Sequence, residues 1–473
     1  MLTKIHGKNF KSFDTLDFDL SASYGNAKKI AIIYGPNGSG KTQICEAVSL
    51  LKTICSTMQI RQIYDAILTG DASKNEIDED FKTSFLRSLP IGMESVYKNT
   101  HMIGSEEPVE MSYDFILEKK TKGSYTFSYD KDGLVNESLD LALEKRHVLC
   151  FKFTRDGSSN YINLKIFPKK EVYKTFLEEK SKFWGKHSFF AILQHMRNTY
   201  AKDFLDQGIH QNVLLVLKHF LTIQDSSIDY GNGFFHISNG AGFSPFSGSL
   251  SAEKVSCLED IKQALSLYLA SFDTDYQSVD YFTTTQENSK IKYNLVFNKM
   301  VAGKIRQIPY TEESEGICRL IAILPTLLGL NSDCVVVIDE IDRSLHPSLL
   351  SNILKCILSQ ENASESDGQL IITTHNPIPL SKKGEDFRDS VYFILKNEKG
   401  QKLIKDLNSF NVRTYKQNNV MESYLNGGKY VLNDYKSVPK VGDIDFDKIN
   451  KLVRKGLGEY FDKSPSTEEK ENE

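Results

Sequence analysis

The apolar positions of this chain change spacing several times. Near the start, Ile5, Phe10, Phe13, Leu16, Phe18 and Leu20 fall in short segments, and Phe18 and Leu20 alternate with Asp17 and Asp19. That alternation predicts strands with one buried face. Residues 29–34 (KIAIIY) form a continuous apolar run, as expected of a strand covered on both faces. A helix is expected from about Lys41, where Ile44, Ala47, Val48 and Leu51 share one face. Between residues 111 and 167 the pattern becomes a meander of short strands: MSYDFIL, SYTFSY, HVLCFKF and YINLKIF. The turns between them carry KG, DG and DGSS.

From about 169 to 222 the spacing turns helical, with Phe176, Phe183, Phe190, Leu193 and Met196 recurring at three and four. Residues 225–251 are rich in Gly and Ser and read as a loop. A further helix is expected from about 252 to 272, then a hairpin of YFTTT and KIKYNLVF turned by QENS. The organisation predicted is a first lobe at 1–168, an inserted helical arm and loop at 169–275, and a second lobe at 276–400. A small α+β appendage at 401–463 and a polar, acidic, disordered tail at 464–473 complete it.

Composition narrows the classes. Acidic residues number 62 against 58 basic, a net charge of −4, so no global field draws the chain to nucleic acid or anionic membrane. The seven cysteines are scattered, with no CxxC pair and no His at metal-ligand spacing; reduced core thiols of a cytoplasmic protein are expected. The opening MLTKIHGKNFKSF lacks the apolar centre of a signal peptide. The longest apolar stretch, around 320–330, is too short for a membrane span and contains Pro325.

Four segments carry chemistry. Gly35-Pro36-Asn37-Gly38-Ser39-Gly40-Lys41-Thr42 matches GxxxxGK[ST] between an apolar strand and an amphipathic helix. Its glycines let backbone N–H groups turn inward around a phosphate, and the helix N-terminus adds positive charge. Lys41 is expected on the β- and γ-phosphates of ATP, and the Thr42 hydroxyl on Mg²⁺. Cys334–Ile338 is a five-residue apolar strand ending in Asp339 and Glu340. Asp339 is expected to hold Mg²⁺ through water and Glu340 to orient or deprotonate the attacking water. The plainer alternative is a helix start, for which Asp342 alone suffices as cap. Residues 370–374 are another buried strand, followed by His375, placed to sense a γ-phosphate or simply to be a satisfied polar residue. Ser314-Glu315-Gly316 opens an apolar helix, either as an ordinary cap or as a second anion site.

In this order the motifs resemble those of ABC-type ATPases of the SMC-like, RecF-like and OLD-like group within the AAA ATPases. Asn9-Phe10-Lys11-Ser12-Phe13 resembles their N-terminal strand, Ser314-Glu315-Gly316 their signature motif, and Asp342-Arg343-Ser344-Leu345-His346-Pro347 their D-loop. His375 resembles their switch histidine. The resemblance implies an α/β P-loop fold with a mixed sheet core, an antiparallel β subdomain and an inserted helical arm. It also implies a head-to-tail homodimer, in which Ser314 and Gly316 of one copy reach the γ-phosphate held by Lys41 of the other. Arg413, the segment YLNGGKY at 424–430 and Pro439 resemble the tail of ATP-binding subunits from bacterial phage-defence and abortive-infection operons, which work with a separately encoded effector.

Two departures accompany it. No glutamine lies between Gln62 and Gln194, where the family's Q-loop residue is expected, so Glu106 or Glu107 becomes a candidate helper for Mg²⁺. No acidic cluster of the Toprim nuclease type is evident, and the alternating Asp443, Asp445 and Asp447 fit a solvated strand. The lysines at 165, 169, 170, 174, 180, 182 and 186 form either a DNA-contacting stripe or a solvated helix face. Three purposes for an ATP cycle stay open: control of a defence effector, clamping of DNA in repair, or ATP-driven assembly of a scaffold with little turnover.

Overall fold

A computed structural model describes residues 1–69, 89–118, 121–143, 146–225, 235–236, 242–251, 255–270, 272, 275–286, 290–328, 330, 334–347, 349–350, 353–354, 368–380, 387–397 and 399–410. Arg413, residues 424–430, Pro439, the three aspartates at 443–447 and the tail at 464–473 lie outside them.

The chain opens with β1 (Leu2–Phe10), β2 (Phe13–Asp19), β3 (Ile30–Tyr34) and the 29-residue α1 (Lys41–Thr69). There follow α2 (Met93–Thr100), β4 (Val109–Leu117), β5 (Thr121–Asp130), β6 (Gly133–Leu143), β7 (Arg146–Thr154) and β8 (Tyr161–Ile162). The inserted helices are α3 (Lys170–Phe183), α4 (Phe189–Thr199), α5 (Lys202–Asp206) and α6 (Gln211–Leu221). Then come β9 (Gln224–Asp225), β10 (Phe235–His236), β11 (Gly242–Phe243), β12 (Ser247–Ser251) and α7 (Ser256–Ala270). The remainder is β13 (Tyr276–Thr285), β14 (Lys290–Val301), β15 (Lys304–Pro309), α8 (Glu315–Leu328), β16 (Val335–Ile338), β17 (Gln369–Thr373), β18 (Val391–Lys396) and β19 (Lys402–Asp406).

The fold is α/β, with a mixed sheet in the order β19-β18-β3-β17-β16-β9 at its centre. Strands β18, β3, β17, β16 and β9 run parallel and β19 antiparallel. Period-two side-chain alternation explains why its strands read as unbroken apolar runs. Ala31, Ile33, Val335 and Val337 join one hydrophobic cluster, whereas Ile30, Ile32, Val336 and Ile338 join another on the opposite face.

The second sheet is antiparallel, in the order β2-β1-β4-β5-β6-β7-β8. Its inner face, α1 and the inserted helices share one core: Ile44, Ala47, Val48 and Leu51 of α1 meet Tyr125, Phe127, Phe190 and Leu193 there. The inserted helices therefore lie against the sheet. Phe176 packs on Phe167 and Phe189, and Phe190 on Tyr125 and Phe220. A buried carboxylate pins them. Glu137 accepts from Tyr125 Oη at 2.6 Å, Trp184 Nε1 at 2.7 Å and the Phe189 backbone N–H at 2.9 Å. Burial pushes its carboxyl up to about 7 against those three donors. A third body pairs β12, β13, β14 and β15 with α7 and α8 around Leu265, Leu295, Phe297 and Ile321.

Three expectations need correction. YINLKIF is not one strand: only Tyr161–Ile162 pair, and Asn163 then caps a 3₁₀ turn over Leu164–Ile166. Ser247–Ser251 is a strand rather than loop, zipped to β14 despite its Ser and Gly content. β6 was absent from the predicted meander, because the buried Glu137 interrupts its inward apolar positions.

Candidate nucleotide-binding site

The glycine-rich segment leaves β3 and feeds α1 at Lys41. Gly40 has φ +110, and a Cβ there would come within 2.8 Å of the Phe13 ring, so only glycine suits the final bend of the loop. Ser39 is buried, and its hydroxyl has no hydrogen-bond partner. The Lys41 ammonium is 7% exposed and donates to the carbonyls of Gly35 at 2.9 Å and Pro36 at 3.4 Å. Burial lowers its affinity for the proton, while Asp339, Glu340 and Asp342 oppose that effect. An orphaned buried hydroxyl beside a lysine folded onto its own loop is what a phosphate cradle holds ready for an anion.

The parallel sheet delivers the other half. β17 lies between β3 and β16, so the ends of three strands converge at the start of α1. The Thr42 hydroxyl donates to Asp339 Oδ2 at 2.6 Å. Two hard oxygen ligands thus meet at one point, and Asp339 is 3% exposed. Among the described residues no group of three or more His, Cys, Asp or Glu could hold a metal. That donor set fits Mg²⁺, which takes one or two protein oxygens and completes its shell with phosphate and water.

Glu340 adopts φ +47, a left-handed conformation that non-glycine residues avoid at about 1 kcal/mol or more. Its backbone N–H donates to Thr373 Oγ1 at 2.7 Å, and the Thr373 hydroxyl in turn donates to Asp339 Oδ1. One threonine at the end of β17 thereby orients both acids. Among the described residues the Glu340 carboxylate makes no hydrogen bond or ion pair of its own, which leaves it available to a water. The His375 backbone N–H donates to Asp342 Oδ2 at 3.1 Å, and the ring is exposed. Partial desolvation by the surrounding strand ends, then the nearby Lys41 charge, lowers the His375 pKa.

Lys41, Thr42, Asp339, Glu340 and His375 therefore lie close to one another at the start of α1. Ser314 and Gly316 do not join them within one chain. Ser314 is exposed at the start of α8, its hydroxyl accepting only the Ile317 N–H at 3.5 Å. Gly316 sits against the D-loop: a Cβ there would lie 2.6 Å from the Ser344 carbonyl oxygen. Glu106 and Glu107 are exposed, and among the described residues neither makes a hydrogen bond to Thr42 or Asp339. β9 instead carries Gln224 into register with Val336, beside the acid-ended strand.

Sequence reading missed four residues. Thr373 is one; Asn376 donates to the Pro347 carbonyl at 2.7 Å and steadies the D-loop. Arg319 of α8 donates to the Asp339 carbonyl at 3.5 Å, linking the signature helix to the acidic strand. Lys402 donates to the Gly38 carbonyl at 3.3 Å. The first threonine of TTHN, Thr373, could have been singled out with His375; Arg319 and Lys402 have no signal short of the fold. Three of the seven lysines of the stripe have partners within the chain, while Lys165, Lys170, Lys174 and Lys186 are exposed. Lys169 donates to Gln207 at 2.6 Å, Lys182 pairs with Glu179 at 3.0 Å, and Lys180 lies over the Phe153 ring.

A protein-family model described as "AAA domain, putative AbiEii toxin, Type IV TA system" matches residues 30–380. No curated protein matches the sequence. Similar solved structures include the SmcHead bound to the C-winged helix domain of ScpA, at TM-score 0.37 and 13% identity, covering 86% of this chain and 98% of that one. Another is the recombination mediator protein RecF in complex with ATPrS, at TM-score 0.33 and 14% identity, covering 85% of this chain and 98% of that one.

Proposed function

The chain belongs to the AAA-domain family whose model matches its residues 30–380, and from that premise we propose that it hydrolyses ATP with Mg²⁺ at a site shared between two copies. The observation that carries the reading is the meeting of Thr42 Oγ1 and Asp339 Oδ2 at 2.6 Å beside a Glu340 carboxylate without a partner. Members of the family use nucleotide, and these residues supply what phosphoryl transfer to water requires.

The loop amides of Gly38–Lys41 and the Lys41 ammonium bind the β- and γ-phosphates, Lys41 exchanging the Gly35 and Pro36 carbonyls for phosphate oxygens. Thr42 and Asp339 would hold Mg²⁺, which when bound would neutralise charge on those phosphates. Glu340 accepts a proton as water oxygen attacks the γ-phosphorus and the bond to the β-phosphate oxygen breaks, releasing ADP and phosphate. The His375 ring donates a hydrogen bond to a γ-phosphate oxygen. Ser314 and Gly316 of a second copy close the site over the γ-phosphate, a role that the exposure of Ser314 supports. At the cellular level we favour a cytoplasmic regulatory ATPase of a phage-defence or toxin–antitoxin system that controls a separate effector, in line with the family's description. The DNA-clamp reading keeps the exposed Lys165, Lys170, Lys174 and Lys186 as its candidate contacts, since Lys169, Lys180 and Lys182 have partners within the chain.

The test is Mg-ATP turnover by wild type and Glu340→Gln. The variant should bind ATP as wild type does, lose on the order of 100-fold or more in turnover and accumulate as a dimer. Equal turnover by the two would remove Glu340 from the chemistry.

A further inference from the structure

Lys402, the first residue of β19, is 8% exposed. An ammonium withdrawn from water costs several kcal/mol unless an opposite charge meets it. Among the described residues no carboxylate does. Its partners are the Ser12 hydroxyl, the Gly38 carbonyl at 3.3 Å and the face of the Phe13 ring at 5.3 Å. Asp14 and Asp17 line the shallow cleft beside it without forming an ion pair to it; Asp17 pairs with Lys4. A cation stands opposite it: Lys396 pairs with Lys402 in register across the β18–β19 hairpin. Like charges so placed repel. Burial and Lys396 together lower the Lys402 pKa.

The positive charge without a counter-ion lies against the outer side of the phosphate loop. An anion-binding loop turns its amides inward, which turns carbonyls outward, and Gly38 offers one of those to Lys402. The same ammonium donates to Ser12, whose hydroxyl donates to Gln43 Oε1 in the first turns of α1. Phe13 supports the bend at Gly40. Two hairpins distant in sequence, β1–β2 and β18–β19, therefore meet the middle of the loop and the first turn of α1 through one lysine.

We propose that Lys402 is a positioning residue of the nucleotide site: it holds the phosphate loop in its anion-binding shape through Gly38 and Ser12, and its missing counter-charge is the polyphosphate of the bound nucleotide. This rests on the reading of the loop as an ATP site. It makes the loop's affinity depend on a residue more than 350 positions away in the chain, and it assigns Lys402 to binding rather than to the chemical step.

The test compares wild type, Lys402→Met, Lys402→Arg and Lys41→Ala as full-length proteins. Mg-ATP affinity, turnover, and melting temperature with and without Mg-ATP are measured for each. Lys402→Met should weaken ATP binding about tenfold, the loss of one charge-assisted contact network, and leave kcat within about twofold. Its melting temperature without nucleotide should equal or exceed that of wild type, because an unpaired buried amine has been removed, while the rise on adding Mg-ATP shrinks. Lys402→Arg should retain most of the affinity. If Lys402→Met does not fold, Lys402→Gln gives the same comparison. Affinity equal to wild type in the Met or Gln variant overturns the proposal, as does a lower melting temperature without nucleotide at unchanged affinity. Failure of wild type itself to bind ATP, indistinguishable from Lys41→Ala, would instead strike at the site reading beneath it.

Discussion

The two halves of the candidate site are built to different standards. The phosphate loop and acidic strand are wired in advance: Thr42 touches Asp339, Thr373 holds Asp339 and Glu340, and Asp342 accepts the His375 amide. The signature segment is held by fewer and weaker polar contacts. Ser314 bonds within its own turn, and Glu315 meets Arg343 of the D-loop at 3.9 Å with both side chains exposed. A preorganised half that binds and a rigid but exposed half that waits is what a site completed by a second copy requires. The difference teaches that nucleotide binding and hydrolysis should separate cleanly by mutation.

Ser314→Arg gives the largest expected split. ATP affinity should stay within about twofold of wild type while turnover falls on the order of 1,000-fold, since the γ-phosphate held by the partner copy loses its contact with the signature segment. Parallel loss of affinity would mean that Ser314 serves its own chain's site and would erase the contrast between the halves. Thr373→Val is expected to lower kcat by roughly 10- to 100-fold, the usual effect of losing the group that orients a metal ligand. Binding of ATP without Mg²⁺ should barely change; an unaltered kcat would show that Asp339 and Glu340 hold their geometry without it. Gly316→Ala should have the smallest effect, several-fold in turnover, because its methyl must displace the Ser344 carbonyl that lies 2.6 Å away and with it the D-loop. A wild-type rate would mean that the signature–D-loop contact is incidental.

How much of this was readable beforehand follows the range of the interactions. The phosphate loop, the acid-ended strand and His375 announce themselves because each is a local pattern: an apolar run, then polar residues at the strand's carboxyl end. The antiparallel sheet was legible wherever inward positions were apolar, as in β4 and β5, and illegible at β6, where Glu137 occupies an inward position and is satisfied by Tyr125, Trp184 and Phe189. β12 hid behind loop-like composition: Gly248 faces Tyr293, whose ring fills the space a larger side chain would take. Lys402 and Arg319 were invisible because their partners stand 364 and 20 positions away. Nothing in the local sequence around a lysine in KGQKL distinguishes a solvated turn from a buried prop of the phosphate loop.

The central claim is that one catalytic site needs two chains, and mixing two inactive variants tests it most directly. Lys41→Ala cannot bind nucleotide but retains Ser314 and Gly316; Ser314→Arg binds nucleotide but lacks a working signature. Each alone should be inactive. Mixed in equal amounts, they should recover up to roughly a quarter of the wild-type rate, because half of randomly formed dimers contain one complete site. A mixture no more active than its separate components, although both variants fold and Ser314→Arg binds ATP, would contradict the shared site.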